Sequence, residues 1–289
     1  SDTVGDQEDF NRRCEVTSFF GTLQAGFTDF HYLREIWQET TEKDALIGCG
    51  ITGIASRRLD DIDLTEGAGV VMNINSEVAT NIGINEAARC TTVKPSGTTS
   101  CLLGCSSGIH AWHSKYYIRR MQCTKDEALY KYLKQYHPYL VDDYKLIPNS
   151  AVIEIPIKAP KDAIIREDET AETLLKRVAR FNEEWVKAGH RDGHNTNNVS
   201  ATVSIKDDEW KFVGEWMWKN RDSFNGLSVL PFDGGSYSQA PFEEISEYKY
   251  KKMVSQFKNI DLTKVKEEED NTTLSGEIAC SGGQCEVQL

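Results

Sequence analysis

The chain has 289 residues, with 33 Lys and Arg against 45 Asp and Glu, for a net charge of −12. Its length holds a sizeable core, and 39% hydrophobic with 10% aromatic residues describes a chain that folds. The acidic balance excludes a sequence-indifferent DNA or RNA binder, which needs a basic footprint, and the absence of a long apolar run or a basic-then-apolar start excludes membrane-spanning and secreted readings. Eight cysteines then read as reduced thiols of a cytoplasmic protein, not as a disulfide framework. The chain starts at Ser1 without a Met, and together with the argument below this leads to the expectation of a missing upstream portion.

Residues 1–10 are polar and acidic. From Phe10 to Gln38 apolar residues recur at helical spacing (Phe19, Leu23, Phe27, then Phe30, Leu33, Ile36, Trp37), with breaks expected at Gly21 and Gly26. A glycine-dotted apolar stretch spans Leu46 to Ala55, and a long helix is predicted from about Glu66 to Ala88. Thr91-Thr92-Val93 reads as a short strand closed by Lys94-Pro95, and Ser96 to Ser100 is a tight turn into a helix at Cys101-Leu102-Leu103. Further strands are predicted at 116–121, 151–155, 199–205 and 226–230, and helices at 126–136, 170–187, 208–220 and 243–258. Alternating strands and helices imply an α/β fold with a largely parallel sheet, doubly wound or closed as a barrel. Active-site loops of such folds lie at the carboxyl ends of the strands, which places the 94–100 turn at a functional edge. Beyond Lys258 the composition changes to a run of acids, Glu267 to Asp270, and few apolar residues, the mark of a mobile tail.

Pro95-Ser96-Gly97-Thr98-Thr99-Ser100 has the parts of a phosphate cradle: glycine for close approach, helix-start N–H groups and several hydroxyls. The plain alternative is an ordinary Ser/Thr helix cap. Cys101, Cys105, His110 and His113 match no usual zinc spacing, and Leu102-Leu103 look like core. Cys14, Cys49, Cys90 and Cys123 sit in apolar or helical settings and read as buried, inert thiols. Cys280 and Cys285 lie in a glycine-containing terminus that can bend the sulfurs to disulfide distance. This reads as a reversible dithiol, against a chance pair or a metal-binding end. His190, Asp192 and His194 precede a strand and read as a turn more readily than as a catalytic histidine. The tryptophans at 210, 216 and 218 look like helix-packing core.

Thr92-Val93-Lys94-Pro95-Ser96-Gly97-Thr98, Ser107-Gly108-Ile109-His110 and Tyr117-Ile118-Arg119-Arg120 resemble the adenosylcobalamin-dependent, monomeric class II ribonucleoside-triphosphate reductases. Gly21 to Gly26, Asn197-Asn198-Val199-Ser200, Phe224 to Pro231 and the closing Cys280-x4-Cys285 extend the resemblance in order, from about residue 10 to the end. It implies the C-terminal part of a ten-stranded α/β barrel over residues 1–258 and a flexible redox-active tail over 259–289. The Asn-Pro-Cys-Gly-Glu type motif of the family's radical loop has no counterpart here, so the radical cysteine is expected on a separate N-terminal portion. The resemblance also implies adenosylcobalamin as cofactor and a ribonucleoside triphosphate as substrate. Substrate phosphate would bind at Ser96, Gly97, Thr98, Thr99 and Ser100, and Cys280 and Cys285 would relay electrons from thioredoxin, with no metal held by side chains of this chain. The competing readings are a stand-alone thiol oxidoreductase and a non-catalytic phosphate-binding module; cobalamin dependence of activity separates them.

Overall fold

The computed structural model describes residues 2–232, 237–257 and 260–267; most of the expected 259–289 tail, and both Cys280 and Cys285, lie outside the described residues. In chain order the helices are α1 (Gln7–Ala25), α2 (Glu35–Asp44), α3 (Leu64–Ile82), α4 (Gly97–Leu103), α5 (Ala128–Tyr136), α6 (Ala171–Phe181), α7 (Trp210–Lys219) and α8 (Glu247–Gln256). The strands are β1 (Cys49–Gly50), β2 (Thr91–Thr92), β3 (Tyr116–Thr124), β4 (Val141–Asp143), β5 (Ser150–Lys158), β6 (Thr202–Ile205), β7 (Ser228–Pro231) and β8 (Phe242–Glu244). The chain divides into two compact units, Ser1–Ala111 with Asp168–Asp233, and Trp112–Glu167 with Gly234–Leu289. Among the described residues, no helix is long and apolar enough to cross a membrane.

The first unit carries the parallel strands that the strand–helix alternation implies. β1 pairs with β2, Cys49 opposite Thr91. Val93 is bridged in parallel to Val199, and β6 pairs in parallel with β7. Four extended segments therefore lie in the order β1, β2, 199–205, β7. Behind them α6 presents Leu174, Leu175, Val178 and Phe181 at helical spacing to the same buried cluster as Cys49, Val93, Val203 and Ile205. Thr170 caps α6 in a capping box with Thr173. The single helix expected over 170–187 instead changes to a wide π-helical run at Asn182–Lys187, which puts Asn182, Trp185 and Val186 all inside. α1 and α3 pack side by side, each started by an aspartate: Asp6 accepts from the Asp9 N–H and Asp63 from the Glu66 N–H. Gly67 of α3 lets the Phe10 ring lie where a Cβ would meet it at 2.3 Å.

The second unit departs from the parallel expectation. Its sheet is antiparallel, in the order β4-β5-β3-β8, and β8 takes residues that the sequence pattern assigned to the start of the last helix. The long β3–β5 ladder runs from Tyr116 opposite Lys158 to Thr124 opposite Ser150. Pro156 falls on the half of β5 that β4 does not reach, where no ladder donor is needed on that side. Arg120 is buried between carboxylates of both neighbouring strands, Glu154 at 2.6 Å and Glu243. Cys123, Tyr130, Leu133, Val141 and Ile153 form this unit's core, against which Ile260 and Val265 pack, and the Asp261 N–H donates to the Tyr132 hydroxyl at 3.1 Å.

The described strands form no closed ring; they bear out the mixed α/β character and do not show the ten-stranded barrel. Gly21 does not interrupt α1, which runs on to a cap at Gly26. Trp218 is 76% exposed and Trp210 is exposed too, against their expected place in the core; α7 buries only Val213. Leu102 and Leu103 are likewise exposed rather than core, because α4 is a two-turn helix at the loop end of β2.

Candidate functional site

In the first unit the two ends of the parallel strands are built differently. At the amino ends, asparagine amides tie neighbouring strand entries together. Asn197 donates to the carbonyl of Thr91 at 3.0 Å, Asn198 donates to Gly226 O at 3.1 Å, and Asn225 donates to the carbonyls of Thr196 and Asn197. The Gly226 N–H returns a bond to Asn198 Oδ1 at 3.3 Å. At the carboxyl ends lie hydroxyls, the 94–100 turn and a second loop at 105–110.

Thr52, just past β1, organises these loops. Its Oγ1 accepts from the Ser96 hydroxyl at 3.1 Å and from the Gly108 N–H at 2.9 Å, and donates to Ser106 O at 3.0 Å. The Ser96 N–H donates to Ser107 Oγ at 3.1 Å. Gly108 is left-handed (φ +54), and a Cβ there would sit 2.7 Å from Lys94 O; only glycine lets the two loops touch in this way. Ser96 is the extended N-cap of α4. The first intrahelical bond runs from the Ser100 N–H to Ser96 O at 3.2 Å, so the N–H groups of Gly97, Thr98 and Thr99 stand ahead of the ladder at the positive end of the helix.

The sequence-predicted phosphate residues therefore do not play equal parts. Gly97 and Thr99 stand at the open start of α4, Thr99 exposed. Ser96 gives its side chain to Thr52. Ser100 is buried, and its hydroxyl donates back to Ser96 O and to Gly97 O, so in this conformation it braces the turn. Cys280 and Cys285 lie outside the described residues. Sequence reasoning missed Thr52; its only signal is a lone hydroxyl beside Gly53 at the end of an apolar stretch.

His110 joins this loop to the sheet. Its Nε2 accepts from the Thr202 N–H at 3.0 Å, which leaves Nδ1 to carry the proton and donate to Ser107 O at 3.2 Å. Burial pushes the imidazole below its ordinary pKa, with the nearby Arg177 cation acting in the same sense. The ring is thus a neutral, doubly bonded strut and not a free base. Arg177 reaches from α6 to Ile109 O at 3.2 Å and pairs with the part-buried Glu169, whose carboxyl desolvation holds above its usual range while Arg177 pulls it down. Beside it an open pocket of about 260 Å³ is lined by Ile54, Leu59, Asp60, Lys176, Arg177, Arg180 and Phe181. Arg180 is committed to Glu184 and to the carbonyls of Leu59 and Ile62.

The thiols expected to be inert are buried. Burial pushes Cys14 and Cys49 up to about 12 and Cys123 up to about 11, and raises Cys90 despite the Arg191 guanidinium. Cys101 is exposed. His190 to His194 form a turn, with the His190 ring on Gly193 O at 2.9 Å and Gly193 left-handed. The residue of consequence there is Arg191, which reaches Asn75 Oδ1 at 2.7 Å and the carbonyls of Ala87 and Met72. Among the described residues, no group of three or more His, Cys, Asp or Glu is placed to hold a metal ion.

No protein-family model matches the chain. Curated relatives do. The chain is 25% identical over 262 residues to the adenosylcobalamin-dependent ribonucleoside-triphosphate reductase of Euglena gracilis, covering 86% of this chain and 35% of that protein. It is 28% identical over 222 residues to the protein of the same name from Lactobacillus gasseri, covering 75% and 29%. A crystal structure of a B-12 dependent (class II) ribonucleotide reductase shares the fold, with a TM-score of 0.72 at 22% identity over 86% of this chain and 38% of that one. The resemblance carried by the motifs is therefore real, and the chain spans about a third of the length of these proteins.

Proposed function

We propose that this chain is the C-terminal portion of a ribonucleotide reductase that converts ribonucleoside triphosphates to 2′-deoxyribonucleotides in the cytoplasm. The observation that carries the reading is the match to curated reductases over most of the chain but only about a third of theirs. In it, residues 1–258 belong to the catalytic body and 259–289 to a redox tail. The N-terminal portion supplies the radical cysteine and the active-site pair. Substrate phosphate meets the open N–H groups of Gly97, Thr98 and Thr99, which the helix dipole favours for an anion. Ser96 and Ser100 shape that turn, held by Thr52, Ser107 and His110.

Adenosylcobalamin, the cofactor in the relatives' names, supplies the radical that starts such chemistry. The pocket beside Arg177, about 260 Å³, is smaller than the roughly 300–1,000 Å³ usual even for a drug-sized molecule, and its arginines are already bonded, so it does not fit the corrin. We assign no residue of this chain to the cofactor.

The chain's own chemistry is thiol exchange. Cys280 and Cys285 give two electrons and two protons to the disulfide formed in the active site, becoming a disulfide themselves, and thioredoxin restores them by the same exchange. The test combines this chain with the N-terminal portion and adenosylcobalamin and measures deoxynucleotide. Activity is expected from the pair and none from either part. Cys280→Ser or Cys285→Ser is expected to abolish thioredoxin-supported turnover, to leave the first turnover of pre-reduced enzyme, and to be rescued by dithiothreitol. Full thioredoxin-supported turnover by the double serine variant would remove the relay, and cobalamin-independent thiol exchange by this chain alone would favour a stand-alone oxidoreductase.

A further inference from the structure

α1 is turned opposite to a surface helix. Its buried face carries Phe10, Cys14, Ser18 and Thr22, and much of that face is polar: Ser18 donates to Val71 O at 2.6 Å, and Thr22 donates to Ser18 O while accepting from Asn75. Its outward face carries Val16 and Phe20, continued by Phe27 just beyond the helix, with Phe20 64% and Phe27 78% exposed. α2 buries no residue at all, yet Leu33, Ile36 and Trp37 stand at helical spacing and are each about half exposed. The stretch between is fastened to α2 by the Thr28 hydroxyl on the Glu42 carboxylate at 2.9 Å. An amphipathic helix ordinarily turns its apolar stripe to the core. Here the richer stripe faces out, along one stretch of sequence from 16 to 37, which is how a helix looks when it is meant to be covered on both faces. Clustered exposed apolar residues of this kind mark an interaction site.

We propose that the outward faces of α1 and α2 are where the N-terminal reductase polypeptide packs. This rests on the function proposed above. The relatives supply the occupant's size: this chain covers only 29–38% of their length, so most of a reductase lies outside it. The chain's own residues 268–289 are a poorer occupant, since they open with acids and contain few apolar side chains. No ordered charge pattern is needed; the chemistry of the face calls for an apolar, aromatic-accepting surface.

The experiment titrates the full chain with the N-terminal reductase polypeptide from the same source, purified separately, and compares Phe20→Asp and Trp37→Asp with the control Leu146→Asp. Leu146 is an exposed leucine of the second unit. Circular dichroism checks that each variant folds, and size exclusion of each chain alone reports self-association. If the proposal holds, the two face variants each weaken the Kd by about 30-fold or more, as central aromatic anchors do, and the control binds like wild type. Equal binding by all variants overturns the proposed surface while leaving the reductase reading in place. Absence of binding by wild type overturns it as well. A wild-type dimer that the face variants break into monomers gives the surface to a second copy and also overturns it. The expected binding pattern without deoxynucleotide formation would keep the surface and remove the reductase reading.

Discussion

Gly108 carries two constraints at once, a left-handed backbone and a carbonyl 2.7 Å from where a Cβ would lie. Gly108→Ala is expected to cost about 2–4 kcal/mol, combining the left-handed penalty with the overpacking. Gly69, inside α3 with nothing within 4 Å of its missing Cβ, is the control: Gly69→Ala is expected to be neutral or to stabilise by about 0.5–1 kcal/mol. Urea midpoints decide this, and equal losses at the two glycines would mean that the loop contact carries no strain. The comparison also marks what was legible at this scale. The 96–100 turn was readable because glycine and hydroxyls between a strand and a helix are a local signal. The strut that holds it was not, since Thr52 and His110 act through bonds to residues 44 and 92 positions away, and no local pattern records such a partner.

Among elements, one amide of α3 ties the helix to three neighbouring segments. Asn75 is buried; it donates to Thr22 Oγ1 at 2.9 Å and accepts from the Ala87 N–H at 2.9 Å and from Arg191 at 2.7 Å. Asn75→Ala would strand a buried N–H and one edge of a guanidinium, at about 2–4 kcal/mol. The expected reading is a thermal midpoint lower by several degrees with helix content kept; an unchanged midpoint would mean that water replaces the amide without loss. Helix positions were legible from apolar period, as α5 and α7 illustrate. The π-helical run after Phe181 and the strand β8 were not. The first depends on how residues 182–187 meet the parallel strands, and the second on β3 offering Ile118 as a partner to Glu243. The antiparallel second sheet was missed for a related reason: strand order and direction are set by pairing between segments far apart in sequence.

For the whole molecule, two part-buried histidines contribute to the response to acid. His113 stacks on Phe242 at 5.3 Å and meets Tyr117 edge-on. Burial first, then the Arg166 cation, bring its pKa down from 6.5 to about 4. The folded ring stays neutral where the unfolded ring takes a proton, so its contribution is intact above about pH 6.5 and is lost as pH falls toward 4. His110 acts with the same sign, while Glu169, raised by burial, runs the other way and offsets part of the loss. Between pH 6.5 and 5 the His113 share is about 1–2 kcal/mol after allowance for solvent screening. His113→Phe is expected to flatten the decline of the urea midpoint over that interval. An identical slope in wild type and variant would assign the acid response to other groups.

The asparagine ties at the amino ends of the strands also bear on how the protein ages. Asn225 is followed by Gly226, the pair in which a backbone nitrogen most readily attacks the preceding side-chain amide, expels ammonia and closes a succinimide. Both reacting groups are engaged in the folded chain, the amide on Thr196 and Asn197 and the Gly226 N–H on Asn198. Conversion to aspartate would replace donated hydrogens with a carboxylate facing two backbone carbonyls. Deamidation at residue 225 should therefore accumulate with time spent unfolded, and peptide mapping after matched incubations in buffer and in urea should find isoaspartate mainly in the latter; equal rates would mean that the bonds give no protection. On that basis residue 225 acts as a slow clock of how often this end of the strands comes apart.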